Sequence, residues 1–198
     1  MAHPIVLISS VMLLFVAKPV VAEEAVRASM TELQAMALQR RWAELLLRID
    51  DVPVGQRNDS WRQLVLRATL GHLSQLGTEA SAGRDGVAVE LGQRYPFLGR
   101  SAEFRRRRDD AILAAYRECR SLESTEIDCA DRLAERIRET GFDGDLIQRG
   151  ALEIAELDST AAARRFLEGQ AERVPASVRE RWKTDPKLER LWREPVKK

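Results

Sequence analysis

Residues 144–157 read GDLIQRGALEIAEL. Leu146, Ile147, Gly150, Ala151, Ile154 and Leu157 recur at steps of one, three and four, so all six share one face of an α-helix. A strand would instead alternate at every second residue. Outward from this segment the same spacing persists. Gly141 closes a helix predicted over 125–140, and another is predicted over about 101–120. Shorter helices follow near 160–171, 177–183 and 186–193. Toward the N-terminus a helix over about 87–94 breaks before Pro96.

Leu38, Trp42, Leu45, Leu46 and Ile49 form one further stripe, with Ser29 as N-cap and Glu32 completing a capping box. That helix is expected to run unbroken to Asp50-Asp51-Val52-Pro53. The next starts near Asp59 or Ser60, carries Trp61, Leu64, Val65 and Ala68, and is expected to stop at Gly77 after Leu76. Residues 77–86, GTEASAGRDG, are small and polar and read as a flexible connection. No window alternates as a strand does. The fold class is therefore all-α: stacked helical hairpins in a compact bundle or short α-solenoid, with about eight or nine helices.

One weak internal echo exists. Val52-Pro53 precedes Arg57 and Trp61, and Val174-Pro175 precedes Arg179 and Trp182. The Arg–Trp gap differs by one residue, so the plain reading is two loop-to-helix transitions with a tryptophan filling the core behind each. The other reading is a duplicated helical unit. Ala88, Leu91 and Pro96 are similar to a tetratricopeptide fragment, but the full spacing does not recur.

The first residues, MAHPIVLISSVMLLFVAKPVVAEE, hold an apolar run from Ile5 to Ala17. That is short of the about 20 residues that span a bilayer. Lys18-Pro19 interrupts it, and Val20-Val21-Ala22 places small residues before Glu23-Glu24. The pattern is a secretory signal peptide over 1–22, followed by a single all-helical domain over 23–198. The alternative is an uncleaved N-terminal anchor. Arg exceeds Lys by 27 to 5, a bias that fits genomic base composition and, with the signal, a bacterial periplasm.

The whole chain carries 32 Lys+Arg and 31 Asp+Glu. Residues 1–22 take one Lys and no acid with them, so the remainder is balanced, which argues against general nucleic-acid binding. At 44% hydrophobic the chain has enough apolar surface for a core. Two cysteines, and one histidine outside the signal segment, speak against most zinc sites and histidine triads.

Cys119 and Cys129 lie five residues either side of Ser124, the centre of a helical hairpin, so they face each other. In an exported chain the pair reads as a structural disulfide. Redox catalysts space their cysteines two residues apart, which nine intervening residues do not match. The spacing resembles one half of the twin helix-hairpin proteins of the mitochondrial intermembrane space, whose second pair has no counterpart here.

Three further features are candidates. His72 continues the Trp61–Val65–Ala68 stripe beside Gly71, which permits close helix approach. It reads as a packing histidine, or as a polar site and general base. Arg105, Arg106, Arg107 and Arg108 precede Asp109-Asp110. They read as a solvated helix with 105–109 and 106–110 ion pairs, or as a contact for an anion or acidic partner. Trp182 and Trp192, with Leu188 and Leu191, read as a cap on the helical stack, or as a docking arm for a partner. No glycine-rich phosphate loop, ligand cluster or nucleophile motif occurs, and no cofactor is implied. The expected function is a non-enzymatic exported module that binds a protein partner in the bacterial envelope. The alternative is a cell-wall hydrolase with carboxylates on facing helices.

Overall fold

The structure is a computed structural model that describes residues 28–79, 83–122, 128–141 and 143–193. The expected signal segment lies outside the described residues. Among those described, the chain is all-α, with ten α-helices and no strand. None of these helices is long and apolar enough to cross a membrane.

The N-terminal stripe is not one helix. α1 (Met30–Leu38) and α2 (Trp42–Arg48) are separated by a left-handed turn at Arg40, φ 57°. The Arg41 N–H donates to Met36 O at 3.0 Å and the Arg40 N–H to Ala37 O at 3.2 Å. These are the two bonds of a Schellman stop, usually built on glycine. The break turns Leu38 out to 77% exposure, while Leu33, Met36 and Ala37 take the buried face. Ser29 does cap α1, accepting from the Glu32 N–H at 3.2 Å. The Glu32 carboxylate pairs with Arg48 of α2 rather than closing a capping box.

α3 (Asp59–Glu79) runs through Gly77, contrary to the expected stop. An internal glycine costs a helix only about 1 kcal/mol. A Cβ on Gly77 would lie 2.9 Å from the Arg84 guanidinium, so the next helix packs across this position. Gly83, φ 83°, leads into α4 (Arg84–Arg94). Residues 77–79 and 84–86 of the expected connection are thus helical, and 80–82 lie outside the described residues. Gly71 meets its expectation: the Trp42 ring occupies the space a Cβ would fill.

The remaining helices are α5 (Ala102–Ser121), α6 (Cys129–Glu139), α7 (Gly144–Leu157), α8 (Thr160–Ala171), α9 (Ala176–Thr184) and α10 (Glu189–Arg193). Consecutive helices from α1 to α8 pack on one another, α9 packs on α10, and α10 returns to α8. Side-chain caps fix several starts: Ser101 for α5, Asp128 for α6, Asp143 for α7 and Ser159 for α8.

Two buried clusters result, with α4 and α5 contributing to both. Along α5, Phe104 and Ala111 face the first cluster, built with α1–α4. Ile112, Leu113, Tyr116 and Cys119 face the second, built with α6–α10. Each cluster holds one of the Val-Pro/Trp echoes. Val52 and Trp61 are buried in the first, Val174 and Trp182 in the second. Trp61 also donates from Nε1 to Ile49 O at 3.0 Å and meets Tyr95 edge-on. Pro175 directly precedes α9, whereas Pro53 lies six residues before α3, so the two helix starts differ in geometry.

Candidate binding cleft

α6 and α8 do not close fully on each other, and an open cleft of about 870 Å³ lies between them. α6 contributes Cys129, Ala130, Asp131 and Ala134 to its walls, and α8 contributes Ala162, Arg165, Phe166, Gly169 and Gln170. Arg120 from α5 and Leu157–Ser159 close one end. Small residues make the space: alanines at 130, 134 and 162 leave unfilled what larger side chains would occupy. A Cβ added at Gly169 would meet nothing within 4 Å.

The two helix starts beside the cleft are held by their own caps. Asp128 Oδ1 accepts from the N–H groups of Ala130 at 3.0 Å and Asp131 at 3.2 Å. Ser159 Oγ accepts from the Ala162 N–H at 3.1 Å. Asp158 is engaged at both oxygens. Arg120 pairs with Oδ1, and the Tyr116 hydroxyl donates to Oδ2 at 2.6 Å. Burial is the largest cause of a raised Tyr116 pKa, and the bond to Asp158 adds to it, so the phenol stays protonated as the donor. Gln170 is 4% exposed, and its Oε1 is buried without a hydrogen-bond partner.

The disulfide expected from the hairpin forms one edge of this site. Cys119 Sγ and Cys129 Sγ are 1.99 Å apart, with Cα atoms at 5.9 Å. It ties the end of α5 to the first turn of α6, and Cys129 itself lines the cleft.

The other expected site residues lie elsewhere. His72 is half-buried in α3 and does not line the cleft. The four arginines of α5 diverge, as consecutive helical residues must. Arg105 donates to Gly99 O at 2.7 Å, Arg106 is exposed, and Arg107 pairs with Glu103 at 3.1 Å. Arg108 is 7% exposed and holds Asp109 at 2.8 Å and Asp143 at 3.3 Å. The expected 105–109 and 106–110 pairs are replaced by contacts between elements: Arg149 of α7 reaches Asp110 at 2.5 Å and Asp109 at 3.9 Å. No single anion site unites the four. Trp182 is 3% exposed in the second cluster, with Leu188 and Leu191 at 0%. The Trp192 side chain lies outside the described residues. Among the described residues no group of three or more His, Cys, Asp or Glu is placed to hold a metal ion.

Comparison with protein families, with curated proteins and with solved structures finds no match to this chain.

Sequence reasoning missed the cleft. The available signal was the run of small residues on two helical faces, Ala130–Ala134 and Ala162–Gly169. Small residues on a helix more often mean close packing than a gap, as Gly150 illustrates, where an added Cβ would lie 3.2 Å from Leu133.

Proposed function

We propose that this protein is an exported helical module of the bacterial envelope that binds another envelope component, a protein, in the α6–α8 cleft. The cleft carries the proposal. Its volume of about 870 Å³ leaves room for a short segment of a partner chain. Its walls are more polar than apolar, with Asp131 and Arg165 beside Ala134 and Phe166, as a solvated recognition surface is. Export is supported by the disulfide pair, since such bonds persist in oxidising compartments, and by the signal-like segment 1–22.

Carboxylate catalysis gains no comparable support. A general acid needs a carboxyl kept protonated by its surroundings and facing the substrate. In the cleft Asp128 caps a helix, Asp131 is exposed and Asp158 is ion-paired. The carboxyl whose pKa is raised, Asp109, is buried in an ion pair and does not line the cleft.

Gly169→Trp tests the reading. The position is open, so the indole should fill the cleft without disturbing the core, and replacing a helical glycine favours the helix by a few tenths to about 1 kcal/mol. Envelope components captured by the wild-type chain should be lost with Gly169→Trp while its melting temperature holds or rises. Capture that survives the blocked cleft would place binding elsewhere.

A further inference from the structure

We infer that the α6–α8 cleft takes a short peptide segment carrying both an ammonium and a carboxylate, the ammonium against α6 and the carboxylate against Arg165 of α8. This rests on the cleft being the binding site. It follows from which charges are left over once internal pairing is complete. Asp158 spends both oxygens on Arg120 and Tyr116, which also occupies Arg120. Asp128 spends Oδ1 on the N-cap of α6. The second Asp128 oxygen and the exposed Asp131 carboxylate remain on the α6 wall, and the exposed Arg165 guanidinium remains on the α8 wall.

Among the described residues neither Asp131 nor Arg165 has an ion-pair partner. They line the same cleft without reaching each other within 4.0 Å. The two walls therefore present opposite signs to whatever lies between them. A ligand with matching opposite charges satisfies both, each contact being a solvent-exposed ion pair that salt screens.

Other chemistries fit less well. A phosphate or nucleotide needs an excess of cations, yet among the described residues one unpaired guanidinium, Arg165, stands with the Asp128 and Asp131 carboxylates. A lipid chain needs an apolar tunnel, and this cleft is open and ringed by charge. A single free amino acid carries the right charges but fills little of about 870 Å³. Several linked residues use the volume, and Ala130, Ala134, Ala162 and Phe166, which line the cleft, suit small apolar side chains between the charged ends. Buried behind the α8 wall, Gln170 Oε1 is an acceptor for a peptide N–H once its carboxamide turns toward the ligand.

Acetyl-Lys-Ala-Ala-Glu-amide, which carries its two charges on side chains as a segment of a partner protein does, is the probe, titrated calorimetrically into the full chain. Binding should fall about two- to fivefold, about 0.4–1 kcal/mol, when the peptide's Lys is replaced by norleucine, when its Glu is replaced by Gln, and in Asp131→Asn and Arg165→Gln. Equal binding of all forms overturns the charge assignment, as does tighter binding of the neutral disaccharide N,N′-diacetylchitobiose. If no peptide binds while Gly169→Trp still abolishes envelope capture, the peptide chemistry fails and the cleft stands. If Gly169→Trp leaves capture intact, both fail.

Discussion

Arg108 and Asp109 are sequence neighbours, 7% and 6% exposed, near the boundary of the two buried clusters. Each depends on the other. Burial is the largest influence on Asp109 and holds its carboxyl above the ordinary 3.8, against the opposing pull of Arg108. A carboxyl raised by folding stabilises the fold most below its unfolded value, and that contribution is lost as pH rises through the folded value. Arg108→Met removes the opposing charge and strands the carboxylate. We expect a loss of about 3–5 kcal/mol near neutral pH, by analogy with other broken buried pairs. The deficit relative to wild type should shrink on acidification, because protonation neutralises Asp109. Urea midpoints of both chains at about pH 7 and about pH 4.5 check the sign; a deficit equal at both values would contradict it. Arg40 is the second residue with a disproportionate role. Its left-handed backbone costs a side-chain-bearing residue about 1–2 kcal/mol, part of which a glycine recovers after its own entropy loss. Arg40→Gly should therefore raise stability by about 0.5–1 kcal/mol, and a lowered urea midpoint would show that the turn differs in solution.

At the scale of elements, the helices with clear end signals were readable in advance. The expected ranges 144–157 and 160–171 coincide with α7 and α8, because Gly141 and the Asp158-Ser159 pair bound them chemically. The break between α1 and α2 was not readable. Its apolar steps continue across residues 38–42, and the left-handed position holds arginine where sequence rules look for glycine. Gly77 misled in the opposite direction, since helix packing outweighs the modest local preference of one glycine. The C-terminal helices raise a question of energetics. α9 and α10 have nine and five residues, and isolated helices shorter than about 12 are marginal in water. Trp182, Leu188 and Leu191 anchor them in the second cluster, and Arg164 of α8 donates to Leu191 O at 2.7 Å. Trp182→Ala should leave a cavity and cost roughly 3–5 kcal/mol. A denaturation midpoint matching wild type would mean that this segment leaves the stack in solution.

Across the whole molecule, periodicity announced the helices but not the space between them. α6 and α8 are separated by α7 in sequence, and a cleft between their walls depends on how far the intervening helix holds them apart. The cysteine pair was legible because both residues belong to one hairpin and a local symmetry argument suffices. Asp131 and Arg165 belong to different hairpins, and no spacing rule brings them to one opening. We propose this opening as the place where the protein meets its partner. A photo-crosslinking amino acid placed at Gly169, with a control at the exposed Val54 in the other half of the chain, tests it most directly in the exporting cell. A discrete adduct is expected from position 169, competed by acetyl-Lys-Ala-Ala-Glu-amide, and none from position 54. Equal adducts from both positions, or an adduct from position 54 alone, would contradict it.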